Sequence, residues 1–516
     1  MINHQVYTSS FTCILVSCSA NIETLGHNPG GPKLPKSVSM EYDKSDAKSI
    51  EAHARRLIGK SLAEALGTRL LKYNQASRGK LGNLLEEHYF CYEPNATSGP
   101  DFPLAGVELK NTPLKKIKRG LVSKERLVLN IINYLEEHKY TFATSSFWRK
   151  NSLLLLLFYI DDGKSDVVDL KFNLARLWRF PPEDLKIIKD DWTKIVGKIL
   201  DGKAHEISEG DTLYLGACTK GANAQSLRDQ PFNSIRAMQR AFSIKSKYLN
   251  YIIEQSQHGE SSPVEPYAEY ELILADEIVP SKTKSSSKMV GIADAEPAVK
   301  GLDEYQDGET FEDLIERRFK PFYGRTETDL FTSYRLNTKS KQKYSDLARN
   351  ILGVKKRNIA EFEKAGIVMK TIRRRFGGSI KESMSFEQIK FNDIVHEDWD
   401  TSVWHEILTK RFLFVILRET SKDSNKYQLE RIMFWTMPVA DLEIAKQFWL
   451  DTQCKIVNGI YDDFIKIRDK RICHVRPKGT DSKDLMETPQ NTLEKKKCYW
   501  LNSLYIRKQL DAPQIK

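Results

Sequence analysis

The sequence predicts an α/β protein made of two tandem domains, each with a mixed central sheet flanked by helices. Two observations support this fold class. Segments of the N-terminal half recur in the C-terminal half at a near-constant spacing, and apolar runs typical of strands alternate with helical segments. The longest apolar run, residues 153–160 (LLLLLFYI), suits a buried central strand and is too short to cross a bilayer.

The repeat is clearest where residues 101–110 (DFPLAGVELK) recur as residues 361–370 (EFEKAGIVMK), 260 positions further on. Downstream, residues 178–185 recur as residues 435–442, and Trp192 recurs as Trp449, both 257 positions further on. An offset held through both halves indicates a duplicated domain of about 210 residues, within the usual size range of a domain.

These observations set the domain boundaries. We assign residues 46–256 to a first copy, residues 257–305 to a linker and residues 306–516 to a second copy. The linker assignment follows from its Ser-, Pro- and Lys-rich stretches. Residues 1–45 form a leader unlike the rest of the chain, and we expect it to be disordered or not native, with Met40 as an alternative start.

The elements of the first copy can be predicted in order. Residues 50–66 indicate helices broken at Gly59, and residues 80–90 indicate a second helix. A strand is predicted from residue 106 to 110, and two more follow at 127–134 and 153–160. Residues 182–200 are typical of a helix, residues 240–253 of a closing helix or strand, and residues 267–279 of an added strand.

Composition narrows the function. The chain has 80 Lys and Arg against 69 Asp and Glu, a net charge of +11 that favours nucleic acid, and secondarily a membrane surface, as partner. Its seven cysteines are scattered without a C-x-x-C pair, which argues against a disulfide framework and a structural zinc site. We therefore expect a cytoplasmic protein without a membrane span.

The candidate active site lies in residues 98–110. Asp101 sits in a Gly- and Pro-rich turn, and Glu108 and Lys110 stand on one face of the strand that follows, about 7 Å apart. Two carboxylates and a lysine can hold Mg²⁺ against a phosphodiester and activate water. Glu86 or Glu87, on the preceding helix, can point toward the same strand. The alternative is a surface turn and strand whose charges face water.

The second copy has lost these carboxylates selectively. Glu361 stands for Asp101, Val368 for Glu108 and Gly353 for Glu86, whereas the lysine is kept as Lys370. Basic residues follow the motif in both copies and would lie along a phosphate backbone. They are Lys115, Lys116, Lys118 and Arg119 in the first copy, and Arg373, Arg374 and Arg375 in the second. We interpret this pattern as one cutting copy and one DNA-binding copy that cannot cut.

Five motifs in a fixed order resemble one known family. They are G-x-x-x-E (82–86), S-G-P-D-x6-E-L-K (98–110), S-K-E-R-L-V-L-N-I-I-N-Y (123–134), T-S-S-F (144–147) and C-T-K-G-A-N-A (218–224). From about residue 45 to its C-terminus, the chain resembles the MutH-type, GATC-cleaving type II restriction endonucleases of the PD-(D/E)XK superfamily. The resemblance implies two restriction-endonuclease-like (MutH-like) domains, of which the second is an effector that binds a second DNA site.

The resemblance also assigns roles to residues. Asp101 and Glu108 would hold Mg²⁺, Lys110 would activate or position water, and Glu86 would support the metal or its water. Lys220 would lie in the base-reading loop, with Asn223 beside it. The mismatch-repair branch has Arg-Pro-Lys where the first copy has residues 218–220 (CTK), whereas the second copy keeps Arg476-Pro477-Lys478. This departure argues against a repair nickase.

These expectations combine into one hypothesis. The chain is expected to be a Mg²⁺-dependent type II restriction endonuclease that hydrolyses double-stranded DNA at GATC. It would be a monomer in solution and would pair with a second copy of itself on DNA, because one chain carries one cutting site. The alternatives are a strand-nicking mismatch-repair endonuclease, which would need a partner ATPase, and a DNA-binding regulator that does not cut.

Overall fold

A computed structural model describes residues 42–67, 81–92, 99–117, 120–221, 225–258, 262–275, 292, 294–479, 481 and 483–512. Three residues that the sequence predicts to bind DNA, Lys118, Arg119 and Asn223, lie outside the described residues. The same holds for residues 1–41 of the predicted leader and for parts of the predicted linker (259–261, 276–291 and 293).

The first copy and the segment after it contain eight α-helices among the described residues. These are α1 Ala47–Arg55, α2 Leu62–Leu66, α3 Leu81–Leu84, α4 Tyr134–Glu137, α5 Ser146–Asn151, α6 Pro182–Leu200, α7 Ser246–His258 and α8 Glu269–Leu274. Its strands are β1 Glu108–Ile117, β2 Gly120–Ser123, β3 Leu127–Ile131, β4 Leu154–Ile160, β5 Phe172–Trp178, β6 Leu215–Thr219, β7 Leu227–Gln230, β8 Asn233–Met238 and β9 Arg240–Ile244.

The strands of the first copy form a mixed central sheet and two smaller units. The central sheet has the order β2-β1-β4-β5, in which β1 and β4 are parallel and the outer pairs are antiparallel. Strand β4 is the predicted central strand, and Leu154 pairs with Glu108 at the start of β1. A second sheet has the order β3-β9-β6, and β7 and β8 form a hairpin.

The remaining described elements belong mainly to the second copy. Its helices are α9 Phe311–Phe319, α10 Glu327–Ser333, α11 Lys343–Ile351, α12 Ala360–Ala365, α13 Phe391–Ile394, α14 Val403–Leu408, α15 Val439–Val457 and α16 Ser503–Asp511. Its strands are β10 Ala295–Glu296, β11 Asn358–Ile359, β12 Val368–Arg374, β13 Met384–Gln388, β14 Phe412–Glu419, β15 Tyr427–Trp435, β16 Cys473–Pro477, β17 Leu485–Glu487, β18 Leu493–Lys495 and β19 Lys497–Leu501.

The second copy repeats the topology of the first. Strand β12 is parallel to β14, β14 is antiparallel to β15, and the second sheet has the order β13-β19-β16 beside the hairpin β17-β18. The register is repeated as well, because Val368 pairs with Phe412 just as Glu108 pairs with Leu154. The long helices α6 and α15 both follow a proline and both span 19 residues. The two-copy α/β fold predicted from the sequence is confirmed.

The two faces of strand β14 serve two different cores. Because side chains alternate along a strand, one set packs into a core that also contains β4 of the first copy, and the other set packs into a core of the second copy alone. The first set is Leu413, Val415 and Leu417, and the second is Phe412, Phe414 and Ile416. The copies therefore share a continuous hydrophobic core.

The described parts of the predicted linker are packed against the protein. Residues 269–274 form helix α8 where the sequence predicted a strand, so that prediction was wrong. Tyr270 and Ile273 of this helix are buried, and the Tyr270 hydroxyl donates to the carbonyl of Phe180. Tyr305 is buried in the shared core.

Several predicted boundaries shift in ways that local chemistry explains. Strand β3 ends at Ile131 instead of residue 134, because the Asn133 side chain accepts a hydrogen bond from the Leu135 N–H and starts helix α4. Residues 240–253 form a strand and then a helix. Strand β1 begins at Glu108 and runs to Ile117, so Lys115 and Lys116 lie on the strand and not in a loop after it.

One short helix of the second copy docks on the first copy. Residues 361–366 correspond in sequence to the turn at 101–106 but belong to helix α12 and its Gly366 cap. Lys364 of this helix reaches Asp184 of helix α6, with Nζ 2.8 and 3.1 Å from the two carboxylate oxygens. The ammonium also lies 4.1 Å from the centroid of the Tyr251 ring. Burial lowers the pKa of Lys364, but Asp184 outweighs this effect and the net pKa is raised. The pair is a buried ionic contact between the copies.

No helix of the described residues is long and apolar enough to cross a membrane. The five described cysteines (Cys91, Cys218, Cys454, Cys473 and Cys498) are free thiols, as expected from their spacing.

Breaking the buried contact between the copies should destabilise the whole chain. We expect Lys364→Met to lower the free energy of unfolding by about 3 kcal/mol, because Asp184 would keep a buried charge without its partner. Denaturant titration of the full chain measures this change. Lys390→Met, at an exposed ion pair with Asp393, is the control and should cost less than about 1 kcal/mol. Equal effects of the two substitutions would contradict the role given to Lys364.

Candidate active site

The first carboxylate of the site, that of Glu86, lies in the irregular end of a helix. Helix α3 continues into one π-helical turn, Leu85–Tyr89, which carries Glu86. Gly82 allows this helix to lie close to β1, because a side chain there would meet the Asn111 Oδ1 at 3.3 Å and the Glu86 Oε1 at 4.0 Å. Single π-helical turns inside α-helices are frequent at functional sites.

The second carboxylate is folded back onto strand β1 by a closed turn. Phe102 and Val107 exchange backbone hydrogen bonds of 2.9 and 3.2 Å, and Gly106 between them has a φ of +64°, which favours glycine. The Asp101 Oδ2 accepts from the Leu109 N–H at 2.9 Å, and the Asp101 N–H donates to the Glu108 Oε2 at 3.1 Å. The turn therefore fixes Asp101 against Glu108.

Glu108 is the buried centre of the cluster. Its residue is 1% exposed, and its Oε1 accepts a hydrogen bond from the Lys110 Nζ, two residues along the same strand. A second ammonium, Lys150 Nζ, lies 3.5 Å from the same oxygen. Two lysines thus balance one buried carboxylate, and the convergence predicted for Glu108 and Lys110 is present in the structure.

Sequence reasoning missed Lys150. It lies in helix α5, whose first turn is capped by the Ser145 hydroxyl, which accepts from the Trp148 N–H at 3.0 Å. The helix ends just before strand β4, the parallel neighbour of β1. That position is the signal that could have identified the lysine, because a residue just before a neighbouring parallel strand lies beside the start of β1.

Burial disfavours the charged form of the carboxylates in this cluster. It raises the pKa of Glu108 to about 7, with Asp101 adding to the rise and Lys110 opposing it. Burial likewise raises the pKa of Glu86 to about 7, and again Asp101 adds to the rise. Carboxylates that repel one another in this way favour a bound cation, which would relieve the repulsion.

The donor set fits a hard divalent cation held partly by other ligands. Within the described ranges, no group of three or more His, Cys, Asp or Glu side chains has the arrangement of a complete metal site. Mg²⁺ is usually bound through one or two carboxylates, and waters and substrate phosphates fill its other positions. Asp101 and Glu108 would provide such a pair of oxygen ligands, and Glu86 interacts electrostatically with both.

Three of the other cations predicted for the first copy are described, and they lie on the surface. Lys115 and Lys116 are exposed near the end of β1. Lys220 is exposed just after β6, where its N–H donates to the Gln239 carbonyl at 2.8 Å. None of these three contacts the carboxylate cluster in the part of the chain that the structure describes.

The second copy keeps cations where the first keeps its carboxylate site. The Lys370 Nζ donates to the Ser385 carbonyl at 3.3 Å, and the Lys478 Nζ donates to the Ser385 hydroxyl at 2.9 Å. The Arg476 guanidinium lies 4.6 Å from the centroid of the Trp500 ring. Lys370 lines a cavity of about 200 Å³.

The three arginines predicted to bind DNA in the second copy differ in position. Arg373 pairs with Glu382 at 3.0 Å and lines the same cavity, and Arg375 is exposed. Arg374 is only 7% exposed and pairs with Asp511 at 2.7 Å. Its guanidinium supports the fold from inside, so we correct the surface role predicted for Arg374.

Known proteins resemble this chain along most of its length. The family "DNA mismatch repair enzyme MutH" matches it twice, at residues 90–191 and 353–447. The type II restriction enzyme Sau3AI of Staphylococcus aureus is 33% identical over 517 residues, covering 90% of this chain and 98% of the relative.

MutH proteins match a smaller part of the chain. The DNA mismatch repair protein MutH of Vibrio campbellii is 26% identical over 37% of this chain and 84% of its own length. That of Shewanella amazonensis is 28% identical over 32% of this chain and 71% of its own length. Two matched MutH regions and the similarity over 90% of the chain lead to one conclusion: the chain belongs to the family of the type II restriction enzyme Sau3AI and contains two MutH domains.

Proposed function

We propose that the protein is a Mg²⁺-dependent type II restriction endonuclease that hydrolyses phosphodiester bonds of double-stranded DNA at GATC. The first copy cuts, and the second copy binds a second DNA site as an allosteric effector. The observation that carries the proposal is the buried Glu108 carboxylate, held against Asp101 and two lysines in the first copy only. The sequence GATC rests on the family resemblance alone.

The residues that replace the two carboxylates in the second copy support the proposal that only the first copy cuts. Val368 stands where Glu108 stands in the first copy and has no metal-binding atom. Glu361, the counterpart of Asp101, is buried, and its carboxylate accepts hydrogen bonds from the N–H groups of Ala298 and Val299 at 2.9 and 3.0 Å. Both of its oxygens are therefore engaged by the backbone, and the described residues of this copy lack the acidic pair that Asp101 and Glu108 form in the first.

The mechanism follows from the groups around Glu108. Asp101 and Glu108 would hold Mg²⁺, which supplies a Lewis acid that stabilises charge on the phosphate oxygens in the transition state. Lys110, hydrogen-bonded to Glu108, orients the attacking water and offers positive charge to the phosphate. Lys150 is a second cation at the same oxygen of Glu108. Glu86, whose pKa is raised to about 7, can accept a proton from that water. The bond between phosphorus and the 3′ oxygen breaks, and this oxygen takes a proton from solvent and leaves as a 3′ hydroxyl.

Surface charge supports DNA as the substrate. The chain has a net charge of +11, and exposed lysines on β1 and after β6 lie on the copy that holds the acidic cluster. Lys118, Arg119 and Asn223 stay predictions from the sequence. In the second copy, Lys370, Lys478 and Arg476 offer a separate cationic surface for a second DNA segment.

The described residues contain one such acidic cluster, and this has a consequence for cleavage of both strands. Two chains must meet on the DNA, or one chain must nick the strands in sequence. We propose a monomer in solution that pairs on DNA. The free thiols of the described cysteines support a reducing, cytoplasmic location.

The share of this chain that each group of relatives matches argues against the repair-nickase alternative. The MutH repair proteins match about a third of this chain, whereas the similarity to a restriction enzyme extends over both copies. A DNA-binding regulator that does not cut would have no use for a buried acidic cluster, which costs stability.

Removing either carboxylate of the acidic pair should abolish cutting and spare DNA binding. We expect Asp101→Ala and Glu108→Ala to lower the rate of plasmid cleavage in Mg²⁺ at least about 1,000-fold. Gel-shift assays without Mg²⁺ should still detect complexes. Glu87→Ala, at an exposed neighbour of Glu86, is the matched control and should cut normally. Residual cutting by Glu108→Ala above one tenth of the wild-type rate would exclude the assigned centre.

Cleavage should fail as the pH falls. The pKa values of Glu86 and Glu108 are both raised to about 7, and both groups act as carboxylates. We expect log kcat/KM to fall below about pH 7 with a slope between one and two. More Mg²⁺ should move the midpoint to lower pH, because the metal favours deprotonated ligands. A midpoint that does not respond to the Mg²⁺ concentration would contradict this assignment.

The effector role predicts that a second site stimulates cleavage. A plasmid with two GATC sites should be cut faster than a plasmid with one site. Lys370→Ala should remove this stimulation, because it takes a cation from the surface offered to the second DNA segment. Lys390→Ala, an exposed lysine of the same copy, is the control and should keep the stimulation. Equal rates on both plasmids for the wild type would rule out the effector model.

A further inference from the structure

Tyr92 stands beside the acidic cluster with a hydroxyl that has no partner. Its hydroxyl oxygen is buried, and it makes no hydrogen bond within the described part of the chain. The ring packs edge-on against Phe102, the neighbour of Asp101, with centroids 5.1 Å apart. The Tyr92 N–H donates to the Glu86 carbonyl at 2.9 Å. The residue is therefore fixed between the two segments that carry Asp101 and Glu86.

Unlike Tyr92, the neighbouring tyrosines have hydrogen-bond partners for their hydroxyl groups. In the same aromatic cluster, the Tyr42 hydroxyl donates to the Phe90 carbonyl at 2.6 Å, and the Tyr89 hydroxyl donates to the His53 carbonyl at 2.8 Å. Burying a hydroxyl without a partner costs stability, and phenylalanine would fill the same space without that cost. A tyrosine at this position therefore needs a reason other than packing.

The backbone before Tyr92 is also unusual. Cys91 has a φ of +55°, in the left-handed region that residues with a side chain rarely adopt. This conformation accompanies the bend that returns the Tyr92 N–H to the Glu86 carbonyl just beyond the π-helical turn. Backbone strain of this kind tends to cluster at functional sites.

The chemistry of the surroundings defines what the hydroxyl can do. Burial, followed by the charges of Asp101, Glu86 and Glu108, raises the pKa of Tyr92 well above its usual value. The phenol therefore stays neutral, so it cannot serve as a base or as an anionic metal ligand. It remains a hydrogen-bond donor within electrostatic range of the Asp101, Glu86 and Glu108 carboxylates.

We propose that Tyr92 is a positioning residue whose hydroxyl donates a hydrogen bond to the Asp101 or Glu86 carboxylate when the acidic cluster binds its metal. This inference rests on the proposed nuclease function. The hydrogen bond orients the carboxylate within the acidic cluster and thereby supports both Mg²⁺ binding and the reaction. Groups that orient the surroundings of a metal in this way typically affect metal affinity or activity 10- to 100-fold.

Tyr92→Phe in the full chain tests the proposal with three readouts. We expect kcat for plasmid cleavage to fall about 10-fold or more while KM for DNA stays within about two-fold. The dissociation constant for Mg²⁺ alone, measured by calorimetry without DNA, should rise several-fold. The melting temperature should stay equal or increase, because an unpaired buried hydroxyl is removed.

Tyr89→Phe is the matched control, three residues away on the same segment. It removes a hydroxyl that has a backbone partner, so it should lower the melting temperature and leave kcat within about two-fold of wild type. Two results would overturn the proposal for Tyr92→Phe. One is an unchanged kcat or an unchanged Mg²⁺ dissociation constant, and the other is a fall in melting temperature like that of Tyr89→Phe.

The outcomes separate this inference from the function on which it rests. If Asp101→Ala is inactive and Tyr92→Phe behaves like wild type, the role of Tyr92 fails and the nuclease assignment stands. If Asp101→Ala still cuts DNA at the wild-type rate, the assigned centre fails, whatever the behaviour of Tyr92→Phe.

Discussion

The contact on which the site depends is the closed turn that holds Asp101 against the buried carboxylate of Glu108. The Asp101 N–H donates to Glu108, and the Asp101 carboxylate accepts from the next residue of the strand, Leu109. Burying two acidic groups this close is unfavourable unless cations offset their charge. Lys110 and Lys150 provide part of that charge, and the raised pKa of Glu108 indicates that they do not provide all of it.

The segment that corresponds to this turn in the second copy forms helix α12 and has a different role. Gly106 and Gly366 have nearly the same left-handed conformation, with φ of +64° and +67°. Leu104 at the tip of the first turn is 84% exposed, whereas its counterpart Lys364 is buried on Asp184 of the other copy. The duplicated motif thus became a docking element. Because this segment docks on the first copy and the two copies share a core, removal of the second copy would also disturb the first. Single substitutions therefore test the role of the second copy more cleanly.

Much of the fold could be predicted because a repeated sequence indicates a repeated topology. The recurrence of residues 101–110 and of the long helix after Trp178 established the two copies and the central strand β4. Helix α8 was mistaken for a strand because its packing against the first copy comes from distant residues, such as Phe180. No local pattern shows that contact.

The site was predictable only where its residues share one strand or one motif. Alternation placed Glu108 and Lys110 on one side of β1, and that prediction is confirmed. Lys150 and Tyr92 were not predicted, because they approach the cluster through tertiary contacts. Lys150 does so from the helix before β4, and Tyr92 does so through a bend at Cys91. Arg374 was misjudged for a related reason, since a run of arginines does not reveal which side chain turns inward to Asp511.

Crystals of the full chain soaked in Mn²⁺ test the central claim most directly, because anomalous scattering locates the metal independently of activity. The account predicts one strong peak within about 2.2 Å of carboxylate oxygens of Asp101 and Glu108 in the first copy. It predicts no peak at Glu361 and Val368 in the second. A metal bound at the second copy, or absent from the Asp101–Glu108 pair at saturating Mn²⁺, would contradict it.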